Sequence, residues 1–236
     1  MKGSRALRAL FFGAATVVFV ATLNLHAVDK DFSEEDRQYI PKYLEGIAPL
    51  PEKPTYAHEL EFIRSVQRSV LTIARDDGDI PLDQKREPKE LYVARTGSCF
   101  DRSRVIEKIL TYSGFKTRHV AIYSMKETGS GARSILTPGA ASHAVTEALT
   151  TKGWLVIDSN DPWLATDASA NPVSIEKIQS RVARSVSTQL STEPPTTIYV
   201  EPFTFVYGLY SRHGRFYPPY DMIPDLNYSE LIQNVL

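Results

Sequence analysis

Apolar residues recur along this chain with two periods, and the two periods mark out helices and strands. In "AHELEFIRSVQRSVLTIAR", Ile63, Val66, Val70 and Ile73 stand three and four apart with Arg64, Gln67, Arg68 and Arg75 between them, a pattern that predicts an amphipathic helix packed on a core. A second stripe, Val105, Ile106, Ile109 and Leu110, follows Ser98 and ends at "SGF". Ser98 is a good N-cap, and the glycine of "SGF" a good stop. That capping makes Cys99 the first helical residue. It also puts Asp101 in the first turn, where a carboxylate suits the positive end of the helix dipole.

The β-rich segments come next. "KTRHVAIYSM" reads as a strand, and "SHAVTEAL" and "GWLVIDS", separated by "TTK", read as a hairpin. "TTIYVEPFTFVYGLY" reads as a late strand pair or one long strand, and "VSIEKIQSRVARSV" as a helix. "DDGDIPLDQKREPKEL" and the Gly- and Ser-rich "KETGSGARSILTPGAAS" read as loops. The segment 29–57 reads as a Pro-punctuated connector with a short helix or two, and the aromatic end closes in a short amphipathic segment. The expectation is one α+β domain over 58–236, with its distinctive motifs in 95–163 and a C-terminal extension.

The hairpin places a histidine and an aspartate together. If its turn centres on Thr150-Thr151, His143 faces Asp158 directly; if it centres on Thr151-Lys152, the two become a diagonal pair on the same face. Val145, Glu147, Trp154 and Val156 share that face, while Ala144, Thr146, Leu155 and Ile157 take the other. Apolar character on both faces implies a covered, central sheet, where an unpaired histidine or aspartate is costly to bury.

Composition narrows the class of function. The formal net charge is -1 and the sequence pI about 6.5, with no dense Lys/Arg block, so nothing points to nucleic acid as a partner. The N-terminus differs from the rest: Lys2, Arg5 and Arg8 precede a run from Ala9 to Val28 without Asp, Glu, Lys or Arg. This pattern predicts an export signal or an uncleaved membrane anchor over residues 1–28, in contact with membrane at least during export. The domain is then expected outside the cytoplasm, periplasmic or membrane-anchored. In an oxidising compartment structural cysteines come in pairs, and Cys99 is the only cysteine in the chain. It is therefore either an inert buried residue or one kept for its reactivity. A helix N-terminus is one of the settings that lowers a thiol's pKa, and an imidazole oriented by a carboxylate is the usual partner.

"GSCFDRSRVIEKILTYSGFKTRHVAIYS" resembles the cysteine segment of the transglutaminase-like superfamily. "SHAVTEALTTKGWLVIDSN" resembles that family's histidine strand, Gly-Trp turn and aspartate-ending strand. The order Cys, His, Asp agrees, and the resemblance covers Arg95 to Trp163. It implies a papain-like α+β fold with a cysteine helix packed on an antiparallel sheet. It also implies Cys99 as nucleophile, His143 as general base and acid, and Asp158 as the acceptor that orients the histidine. The implied chemistry is attack on an amide or ester carbonyl of a protein, peptide or cell-envelope polymer through a thioester, with no cofactor. Two departures stand out: Ala144 where an aromatic often follows the histidine, and "DSND" in place of the more common Asp-Pro.

An oxyanion donor is expected from the Cys99 backbone N–H, with Gln67 and Gln84 as side-chain candidates. His119 and Asp101 read as structural, Glu147 and Asp161 as solvated strand-end or loop positions that could line a cleft. The other histidines have no metal-ligand spacing, and one cysteine cannot supply a Cys-rich zinc site. Two alternatives stay open beside the enzyme: a catalytically silent binding or assembly module in envelope or exopolysaccharide machinery, and a thiol carrier, which would lack a resolving cysteine.

Overall fold

The computed structural model describes residues 27, 28, 30–75, 78, 80, 81, 84–184, 190–210 and 225–235. The expected export signal or anchor therefore lies outside the described residues, apart from Ala27 and Val28. Among the described residues, no helix is long and apolar enough to cross a membrane.

The architecture is α+β: a four-stranded antiparallel sheet with helices. Helix α1 (Glu34–Tyr43) and helix α2 (Tyr56–Ile73) come first, then the short α3 (Pro88–Ala94) and α4 (Cys99–Tyr112). Strand β1 (Lys116–Ser124) leads through α5 (Gly131–Leu136) to the hairpin of β2 (Ser142–Thr150) and β3 (Gly153–Ile157). Helix α6 (Ile175–Ala183), a 3-10 turn (Thr197–Tyr199) and strand β4 (Phe203–Tyr207) follow. The described chain closes with β5 (Leu209–Tyr210), β6 (Asp225–Leu226), α7 (Tyr228–Leu231) and a second 3-10 turn (Ile232–Asn234). The sheet order is β3-β2-β1-β4, so the histidine-bearing strand is internal.

Two apolar cores sandwich this sheet, as expected from apolar residues on both faces. Ile63, Val66 and Val70 of α2 and Val105, Ile106, Ile109 and Leu110 of α4 meet Ala148, Leu155 and Ile157 on one face. Val120, Val145 and Val156 meet Trp163, Ile175, Ile178 and Tyr199 on the other. Segment 29–57, read as a connector, contributes α1, whose Ile40 and Tyr43 are fully buried in the first core. Asp36 on the same helix pairs with Lys108 of α4 at 2.7 Å.

Three local expectations are corrected. The tract 126–142, read as a loop, contains α5, whose Gly131 packs where an added Cβ would lie 3.0 Å from the Thr204 side chain. A tertiary contact on β4 thus organises a stretch with no helical period of its own. The other loop ends in α3, with Pro88 in the first helical turn, where its missing N–H costs nothing, and Leu91 buried. The late strand region divides into the 3-10 turn, β4 and β5. Gly208, at φ +71°, breaks β4 from β5.

Candidate active site

Helix α4 starts as the sequence implies. Asp101 reaches back to accept from the Ser98 N–H at 2.9 Å and from Ser98 Oγ at 3.1 Å. It is fully buried and pairs with Arg86 at 2.8 Å, so it locks the helix start besides facing the dipole. Cys99 is the first helical residue and is partly exposed.

The hairpin takes the register centred on Thr151-Lys152, with Thr146 opposite Ile157 and Glu147 opposite Val156. His143 and Asp158 are therefore a diagonal pair on one face. Their side chains close the gap: His143 Nε2 lies 2.8 Å from Asp158 Oδ2. The Cys99 thiol acts on the same imidazole and helps to raise its pKa, and with Nε2 turned to Asp158, Nδ1 is the ring nitrogen left for the sulfur. The three residues singled out from sequence are thus brought to one place, with the histidine between sulfur and carboxylate. Burial alone would lower the His143 pKa, but the Asp158 charge and hydrogen bond, with Cys99, raise it to about 10. The imidazole therefore favours its protonated form, the form that pairs with a thiolate.

Asp158 is held from every side. Its Oδ1 accepts the N–H groups of Asn160 and Asp161 at 2.7 and 2.8 Å. Tyr199 Oη donates to Oδ2 at 2.6 Å. Burial would raise the carboxyl pKa, yet His143, Tyr199 and the backbone donors bring it below the usual aspartate value. The Asp158 loop is clamped by Gln67, whose Nε2 donates to the carbonyls of Asp158, Asp161 and Trp163 at 2.7, 3.0 and 2.9 Å. Gln67 is thus a buried brace and not an oxyanion donor, because its amide hydrogens are already taken. Gln84 is exposed on the loop before α3.

Beside His143 opens a cleft of about 460 Å³, lined by Ser124, Thr128, Ser142, Asn160, Thr197 and other polar residues. Asp161, Glu127 and Glu201 stand in its wall, with Lys126 bonded to Glu201 at 2.7 Å. Arg102, one turn beyond Cys99, donates to Asn160 Oδ1 at 2.9 Å. That bond fixes the amide orientation and leaves the Nδ2 hydrogens as the donors that Asn160 offers in the cleft. Ala144 is fully buried and accepts from Ser159 Oγ through its carbonyl, so the residue after the histidine is part of the packing and not of the cleft wall.

Glu147 departs from expectation. It is fully buried, bonded to Arg118 Nε at 2.7 Å and to the Ile175 N–H at 2.8 Å. Arg118 is sandwiched between the Trp154 and Tyr207 rings, 4.1 and 3.9 Å from their centroids. The Glu147 carboxyl rises to about 7, because burial outweighs Arg118. Sequence pattern could not find this pair, since Arg118 and Glu147 meet only through the β1–β2 register.

His119 is fully buried, stacked on Tyr210 with centroids 4.3 Å apart, and its Nδ1 lies 3.3 Å from Ser103 Oγ. Burial drives its pKa down to about 4 against the pull of Glu107, so it is a neutral packing residue. Behind α4, Glu107 is paired with Lys30, and Lys30 with Glu230 at 2.6 Å, tying both ends of the described chain to the cysteine helix. Among the described residues no group of His, Cys, Asp and Glu is arranged to hold a metal ion.

Asn160, two positions past Asp158, and Tyr199 are site residues that sequence reasoning missed; of the two, Tyr199 had the weaker signal. It stands in a stretch read as strand, forty-one positions beyond Asp158, and no motif marks it. Comparison of the chain with family models, curated proteins and solved structures finds no match.

Proposed function

We propose that the protein is a transglutaminase-like cysteine enzyme of papain-like fold, acting outside the cytoplasm on amide or ester carbonyls of protein or envelope material. The observation that carries this reading is the His143–Asp158 hydrogen bond with the Cys99 thiol acting on the same imidazole, the sulfur at a helix N-terminus and the histidine opening on a cleft. Transfer of the thiol proton to His143 gives a thiolate and an imidazolium, stabilised by Asp158 on the far side of the ring. The sulfur attacks the carbonyl carbon, and the developing oxyanion is met by the Cys99 N–H, which has no partner inside its helix. Asn160 is the side chain that supplies a donor to the bound substrate. His143 then gives its proton to the leaving amine or alcohol as the carbonyl–heteroatom bond breaks, which leaves a thioester on Cys99. Water or an amine, deprotonated by His143, attacks that thioester and restores the thiol.

The test is the pH dependence of Cys99 alkylation by iodoacetamide in wild type and in His143→Ala. An ordinary thiol reacts appreciably only near its pKa of about 8.5. Wild-type reactivity persisting well on the acid side of that value, and disappearing in His143→Ala, supports the reading. Two ordinary-thiol profiles overturn it and leave the cleft to the binding-module alternative.

A further inference from the structure

Asp158 Oδ2 accepts from His143 Nε2 at 2.8 Å and from Tyr199 Oη at 2.6 Å. The shared oxygen is enclosed: Asp158 and Tyr199 are fully buried and His143 is 6% exposed. The Tyr199 ring meets the His143 ring edge-on with centroids 5.9 Å apart and packs on Trp163 at 4.9 Å. The 3-10 turn that carries it starts at Thr197, in the wall of the cleft. The groups facing His143 are therefore Asp158 at the end of β3, Cys99 on α4 and Tyr199 on this turn, with Asp161 acting on Tyr199 in turn.

We propose that Tyr199 is a fourth member of this site, a positioning residue that shares the Asp158 oxygen with the histidine and limits how tightly that carboxylate holds the imidazolium proton. The proposal rests on the reading of Cys99 and His143 as a reacting pair. Its chemical sense lies in the second half of the reaction. An imidazolium gripped by an unshared buried carboxylate is a poor acid toward a leaving group, whereas an O–H donor on the same oxygen draws off part of its charge. Burial and the neighbouring carboxylate push the Tyr199 pKa well above its ordinary value, so the phenol remains a donor throughout the working range.

The test follows the His143 ring by NMR in protein labelled at histidine, with the signal identified by its absence in His143→Ala. In Tyr199→Phe the carboxylate loses a donor, so the His143 titration should move up by about one pH unit, a tenfold change in proton affinity. Replacing Tyr199 by 3,5-difluorotyrosine makes the phenol a stronger donor without changing its shape, and should move the titration down. This second variant also keeps the test alive if Tyr199→Phe fails to fold. Shifts of opposite sign support the proposal. A titration that stays put in the folded variants, or moves the same way in both, overturns it, because a purely structural tyrosine would lower stability without this pattern. Iodoacetamide alkylation of the same wild-type and His143→Ala proteins tests the underlying reading on its own. Ordinary-thiol behaviour in both ends that reading and the proposal with it, whereas paired-thiolate behaviour with unmoved titrations ends the proposal alone.

Discussion

Gln67→Leu removes the brace under the Asp158 loop while keeping nearly the same side-chain volume, so that no large cavity confuses the result. Gln67 is fully buried and its Nε2 serves three backbone carbonyls. Two amide hydrogens can satisfy only two of them fully at once. A hydrogen bond contributes about 0.5–1.5 kcal/mol net, and each buried carbonyl left bare costs about 1–3 kcal/mol. The Asp161 carbonyl is part-buried and can turn to water, and Gln67 Oε1 already lacks a partner among the described residues; both reduce the loss. The expected destabilisation is about 2–4 kcal/mol. For a domain of this size that corresponds to a fall in Tm of about 5–15 °C. Thermal unfolding followed by circular dichroism measures it, and Cys99 alkylation of the folded variant reads the second consequence. A looser loop holds Asp158, and through it His143, less firmly, so acid-side reactivity should drop. A Tm within about 2 °C of wild type would refute the argument, since bonds of this number and burial cannot vanish without cost.

Other expectations follow from the same geometry. The His143 pKa is raised from 6.5 to about 10, so its contribution is fully present below pH 6.5 and lost as pH climbs through 10. Urea titrations should show stability falling across that window by on the order of 3–5 kcal/mol at most, and the fall should be largely absent in His143→Ala. Arg118→Ala leaves Glu147 buried without its ion partner and should cost about 3–5 kcal/mol; a urea midpoint close to wild type would contradict the pairing. In Gly208→Ala the new Cβ would lie 2.5 Å from the Asn227 carbonyl oxygen at a φ of +71°. Thermal unfolding should show a loss of more than about 1 kcal/mol, because neither the backbone nor the neighbour can yield cheaply.

Much of the candidate site was legible because it rests on local rules. Ser98, Asp101 and the apolar stripe from Val105 to Leu110 specify where α4 begins, and hence that Cys99 sits at its N-terminus. Strand alternation put His143 and Asp158 on one face in either even register. The structure took the diagonal register, and side-chain reach did the rest. The opposite holds for α5, which a period-based reading missed because Gly131 and its neighbours carry no apolar repeat. Its position depends on contact with Thr204, far along the chain.

By itself, then, the sequence determined the α+β class, the start of the cysteine helix and the shared face of histidine and aspartate, because capping and period-two alternation act between residues close in the chain. Only the tertiary structure decided that Gln67 braces the aspartate loop, that Glu147 is buried against Arg118, and that Tyr199 donates to the oxygen His143 uses. Those partners lie dozens of residues apart. Their attraction to one another arises only after the sheet and helices exclude water and leave each buried polar atom in need of a partner.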